Sequence, residues 1–190
     1  MLQYTTTVKE IMKIEKNKKF VPIKPLINKV EKSDLFTINL ENFYPQETLH
    51  EFDLKDYLFR GLILREKDFR EAVAEHDWAQ YQDGILLVFN SAEAIIPMWA
   101  YMLIGVASSD FAKAVYHGTK DEYIGAYYRD FLAKYDITPH IDGKIILKGC
   151  GKKPVPPSAY MELTRLLKPH VKSIMFGEPC STVPIYKRPK

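Results

Sequence analysis

Apolar and polar positions alternate with two different periods along the chain, and the change of period marks its elements. Leu35-Phe-Thr-Ile-Asn-Leu40 and Leu49-His-Glu-Phe-Asp-Leu54 read as strands on either side of an Asn42-Phe-Tyr-Pro45 turn. From Lys55 to Trp78 the apolar residues recur every three to four positions, which predicts two helices that break near Glu66. Ile85-Leu-Leu-Val-Phe89 is a continuous apolar run, as expected of a strand buried on both faces. A helix is expected from Pro97, a short strand over 112–117, and an amphipathic helix from Lys120 to Tyr135. Lys144-Ile-Ile-Leu-Lys148 predicts a strand, Ser158 to Leu167 a helix, and Val171 to Phe176 a last strand. His76-Asp77-Trp78 reads as a helix C-terminus with an anchoring aromatic, and Trp99, Tyr101 and Met102 as core.

An internal repeat organises these elements. Shifting the chain by 59 residues aligns 83–118 with 142–177 without a gap, and eight of the 36 pairs are identical. Composition alone gives roughly two. Each copy runs from an Asp-Gly turn through a strand, a Pro-x-x-Ala-Tyr-Met helix and a second strand to a glycine. The expected fold is therefore α/β: a mainly parallel sheet from a duplicated βαβ unit, preceded by a small N-terminal strand–helix region over 26–82. If the first strands of the two units are neighbours, the right-handed crossovers diverge between them and make a topological switch, where open sheets bind ligands. Loops 91–96 and 149–156 would then face each other there.

That crevice gathers the candidate binding residues. Ser91 and Cys150 occupy equivalent repeat positions. Cys150, Gly151, Lys152 and Lys153 combine a thiol, a flexible glycine and two cations just before a helix N-terminus, a plausible cradle for an anion. Nearby cations also favour a thiolate. Glu178, Cys180 and Ser181 follow the last predicted strand, so Cys180 is expected within roughly 10 Å of Cys150. His117 ends a strand and joins the two cysteines as a weak candidate metal ligand. No P-loop, dinucleotide fingerprint, H-E-x-x-H, C-x-x-C or G-x-S-x-G pattern occurs.

Charge sharpens the division of the chain. Residues 1–25 carry a net +4 and read as a flexible basic leader, 26–143 a net −9, and 144–190 a net +8. Residues 26–190 are expected to form a single domain. A basic final quarter suits an anionic small molecule or an anionic protein partner, or the acidic middle of the same chain. No basic–aromatic module for nucleic acid is present. The longest apolar stretch, Ala94 to Ala107, is too short to span a bilayer, and no secretory h-region is found, so a cytoplasmic protein with free thiols is expected.

INKVEKSDLFTINLENFYP, FDLKDYLFRGLILREKDFREAVAEHDW, WAYM, KGCGKKPVP and VKSIMFGEPCSTVPIYK, spread over about Ile27 to Lys190, resemble a bacterial family described as a domain of unknown function, number two-four-eight-zero. The resemblance implies no activity, cofactor or catalytic residue. Two readings follow from the residues. One is a binding module with an anion-accepting, thiol-bearing crevice. The other is a thiol protein that handles sulfur, a soft metal or an iron–sulfur cluster, for which two cysteines complete no site alone.

Overall fold

Parallel strands fall into two sheets, one for each copy of the repeat. The computed structural model describes residues 34–149, 151–178 and 181–189. The expected leader over 1–25 therefore lies outside the described residues, as do both cysteines. The strands are β1 (Leu35–Asn39), β2 (Leu49–Asp53), β3 (Ile85–Phe89), β4 (Ala114–His117), β5 (Lys144–Lys148), β6 (Ser173–Glu178) and β7 (Ser181–Lys187). The helices are α1 (Glu66–Glu75), α2 (Met98–Ser108), α3 (Lys120–Leu132) and α4 (Pro157–Leu167). One sheet has the order β2-β3-β4 and the other β1-β5-β6-β7. All pairs are parallel except β6–β7.

The expected single sheet is thus corrected. β3 and β5 are not neighbours: β2 lies beside β3, and β1 beside β5. β1 and β2 do not pair across the Asn42–Pro45 turn either. Period and burial tell a strand from a helix but leave its hydrogen-bonding partner open, and here each N-terminal strand joins a different repeat unit.

The duplication is wider than the aligned segments. In register, Ile85↔Ala114 corresponds to Lys144↔Ser173 at the same 59-residue offset, and Leu49↔Ile85 corresponds to Leu35↔Lys144. Both N-terminal strands end in a residue that caps a 3-10 turn, Asn39 accepting from the Glu41 N–H and Asp53 from the Lys55 N–H. Asp83 and Asp142 take the left-handed conformation at φ 59° and 56°, tolerable for a short polar side chain that hydrogen-bonds locally. One histidine–tyrosine pair is kept with its members exchanged. His76 Nε2 meets the Tyr81 hydroxyl at 2.8 Å, and Tyr135, at the position of His76, meets His140, at the position of Tyr81, at 3.0 Å.

Each sheet carries its own core. Phe69 and Val73 of α1 and Ala100 and Ile104 of α2 pack on Phe52, Leu86 and Val88. Ile124, Tyr128 and Leu132 of α3 and Ala159, Leu163 and Leu167 of α4 pack on Ile38, Ile145, Leu147 and Ile174. Each fully buried aliphatic side chain contributes about 1.5–3 kcal/mol. As expected, β3 is buried on both faces from Ile85 to Val88.

Several boundaries differ from expectation. Only one helix lies between Lys55 and Trp78, and it begins at Glu66 instead of breaking there. The chain before it holds a 3-10 turn at Leu54–Tyr57 and a turn through Arg60 and Gly61 at positive φ. β7 was not expected because Pro184 interrupts its pattern; it is an edge strand with a register shift, where a missing N–H is tolerated. Met102, expected in the core, is 70% exposed. Trp78 does anchor the end of α1, its indole N–H donating to the Val73 carbonyl at 2.9 Å.

Candidate functional site

The candidate anion cradle lies at the carboxyl edge of the four-stranded sheet. The Asn39 cap turns the chain so that Glu41 follows β1 directly, and the Lys152 N–H donates to Glu41 Oε2 at 3.2 Å. A Cβ built on Gly151 would lie 1.0 Å from Glu41 Oε1, so a side chain there would displace this carboxylate from its present position. The expected cradle therefore already faces an anion, one that belongs to the same chain. Lys153 Nζ lies 5.2 Å from the centre of the Tyr44 ring, a cation–π contact.

Behind the loop, the ends of β5 and β6 are tied together. Lys148 Nζ and Glu178 Oε2 are 3.1 Å apart. A Cβ at Gly149 would meet Phe176 Cζ at 2.0 Å, so the glycine admits the ring. The Tyr160 hydroxyl donates to the Lys148 carbonyl at 3.2 Å, and its ring meets Phe176 edge-on. Ser181 opens β7 opposite Glu178. Cys150 and Cys180 lie outside the described residues, and the expected thiol separation falls there with them. A largely apolar groove of about 460 Å³ runs from Leu147, Tyr160 and Phe176 towards Ile185, with Arg165 and Lys168 on its walls.

Ser91 belongs to the other sheet. Its N–H and hydroxyl both donate to Asp53, at 3.0 and 2.5 Å. Partial burial pushes the Asp53 pKa up, but hydrogen bonds from Ser91 and Lys55 outweigh it and hold the carboxyl below its ordinary value. Of the two loops expected to face each other across a switch point, one thus bonds to Asp53 at the end of β2 and the other to Glu41 in the turn after β1. Removing the β3–β5 pairing removes the basis for a shared crevice. His117 also ends the three-stranded sheet, edge-on to Tyr101, whereas β5, β6 and β7, the strands next to the cysteines in sequence, belong to the four-stranded one. Among the described residues, no group of three or more His, Cys, Asp or Glu side chains is placed to hold a metal ion. Nor is any described helix long and apolar enough to cross a membrane.

Glu41, Tyr44, Tyr160 and Phe176 shape this edge without having been singled out as site residues in the sequence. A weak signal for Glu41 was available: Asn39 and Asp53 end similar strands fourteen residues apart, which places both N-terminal strands inside the repeat.

A family model described as "Protein of unknown function (DUF2480)" matches residues 24–188. The chain belongs to this family. No curated protein and no solved structure gives a significant match. The DUF2480 match takes in both sheets and the whole carboxyl edge, so the cradle and its Glu41 partner lie within the family's span.

Proposed function

We propose that this DUF2480 protein is a binding module whose 149–156 loop accepts an anionic group, from a small molecule or a protein partner, in place of the Glu41 carboxylate. The observation that supports it is the Glu41 carboxylate on the Lys152 N–H beside Gly151, because it shows a donor of that loop engaged with negative charge. Lys152 and Lys153, both exposed, add to the same field. Titration with inorganic phosphate, followed by amide NMR shifts, tests the reading. Glu41→Gln weakens the internal competitor and is expected to tighten phosphate binding several-fold. Lys152→Glu with Lys153→Glu is expected to abolish it while changing the melting temperature little, since exposed loop charges contribute little to folding. Equal binding in all three proteins, or none in any, refutes the reading.

A second reading is favoured by the Lys148–Glu178 bridge, which joins two neighbouring strand ends, each closely followed in sequence by a cysteine. In it Cys150 and Cys180 handle sulfur, a soft metal or an iron–sulfur cluster, with remaining ligands from a partner. Thiol reactivity measured with and without a chelator separates the two: thiols that are unreactive in both conditions leave the binding module. Either reading suits a cytoplasmic protein with reduced thiols.

A further inference from the structure

α2 and α4 are the same helix built twice, and the comparison isolates one unusual face. Their burial patterns agree position for position at the 59-residue offset, apart from Trp99 and Ser158. On α4 part of this face carries charge: Glu162 and Arg165 pair at 2.6 Å beside Met161, and Lys168 follows. On α2 the equivalent positions are Leu103, Val106 and Ser109, and no residue of the helix is charged. Met98, Met102 and Val106 form a stripe with a four-residue step and are 72%, 70% and 74% exposed, with Ile95 just ahead of them at 95%. Gly105 lies within this stripe. Glycine weakens a helix interior, yet its φ is ordinary and, among the described residues, nothing lies within 4 Å of a Cβ placed there. No packing among the described residues requires it, and the absent side chain leaves room for another helix to approach closely.

We infer that this face of α2 is a two-fold interface with a second copy of the chain. The stripe is centred on Met102 with equal steps to either side, so antiparallel pairing across a two-fold axis sets Met98 against the partner's Val106, and Met102 against its own counterpart, with Gly105 admitting the crossing. An uncharged face has no complementarity for the lysine-rich residues 1–25, and it meets its own copy without leaving a charge unpaired. The four side chains expose roughly 60–120 Å² each of buriable apolar surface. Two copies then bury about 600 Å² of apolar area, which at the usual apolar share makes an interface of about 1,000 Å². That is the lower end for a specific contact, and it gives a reversible dimer with dissociation in the micromolar range.

Sedimentation velocity on the full chain between about 1 and 100 μM tests this, a range that brackets such a constant. A monomer–dimer equilibrium is expected. Leu103→Glu with Val106→Arg transplants the ion pair of α4 onto a helix of the same burial, so the variant is expected to fold, with some loss of melting temperature because Leu103 packs partly on the core. It should weaken the dimer by roughly 100-fold, because charge is forced into an apolar contact. Met161→Glu on α4 should leave association unchanged, and Met102→Glu gives a second disruption if the double variant melts early. A parent protein that stays monomeric at the highest concentration overturns the inference. So does a dimer that survives both α2 variants, or one that Met161→Glu disrupts equally.

Discussion

Replacing Tyr128 with phenylalanine isolates one hydrogen bond that spans the core of the four-stranded sheet. Tyr128 is fully buried on α3, and its hydroxyl donates to the Leu40 carbonyl at 2.8 Å, across 88 residues of sequence. Burial, helped by nearby tyrosines, holds this hydroxyl protonated well beyond the usual tyrosine range, so it is a donor at any working pH. The repeat supplies the control: the equivalent residue of α1 is Phe69, also fully buried, so a phenyl ring suits this position without a hydroxyl. Tyr128→Phe therefore removes no packing and opens no methyl-sized cavity. What is lost is a net hydrogen bond, about 0.5–1.5 kcal/mol, plus part of the cost of a buried carbonyl left short of a donor, about 1–3 kcal/mol when complete. Since a carbonyl has a second lone pair for another donor, about 1–2 kcal/mol is expected. In a domain of this size that lowers the melting temperature by roughly 2–8 °C. Urea unfolding is the assay, with an unchanged slope and a lower midpoint as the expected result. A loss below about 0.5 kcal/mol, or a changed slope, refutes the assignment of a discrete buried bond.

Two further expectations concern pH. Burial holds both His76 and His140 below the ordinary histidine pKa, against the opposing pull of Asp77 and Asp136. A depressed folded pKa means that the unfolded chain binds more protons, so stability present above about pH 6.5 falls as the pH drops from there. His76→Phe with His140→Phe should flatten the melting temperature between about pH 7 and 5, and an unchanged slope contradicts the assignment. Asp53 behaves likewise at lower pH: its depressed folded pKa stabilises the protein above about pH 4 and stops doing so in acid. Asp53→Ala should lower the melting temperature at pH 7 and shrink the further fall down to about pH 3; equal acid sensitivity in both proteins speaks against the Ser91 bonds.

Local information carried most of the elements. The apolar run of β3, the Asp-Gly turns and the Pro-x-x-Ala-Tyr-Met helices were legible because each follows from nearest-neighbour chemistry. Partition into two sheets was not, because β1 and β2 carry the same strand pattern and only long-range pairing tells which unit each joins. Met102 was read as core from a helix apolar around its whole circumference, but burial follows position on the sheet, and the outer face of α2 stays exposed. In the site, the glycine and the two cations of the loop Gly151, Lys152 and Lys153 were legible in the sequence as a candidate for meeting negative charge. Its Glu41 partner was not, since that contact joins residues 111 apart. Ser91 follows β3, whose partner in the sheet is β2 and not β5, a pairing that the strand pattern left open.

The interleaving of the strands has a consequence for how the chain folds. β2, β3 and β4 follow one another, so the three-stranded sheet is assembled from one continuous stretch that is complete at His117. β1 is made before any of it, yet pairs with a strand that follows more than a hundred residues later, against 36 residues for Leu49 and Ile85. Closing the longer loop in an open chain costs about 1 kcal/mol more, from the logarithmic dependence on length. Earlier formation of the three-stranded sheet shortens the effective loop and takes up much of that difference. Contact order thus favours a sequence of events in which Leu35–Asn39 waits, its backbone solvated, until Lys144–Lys148 arrives.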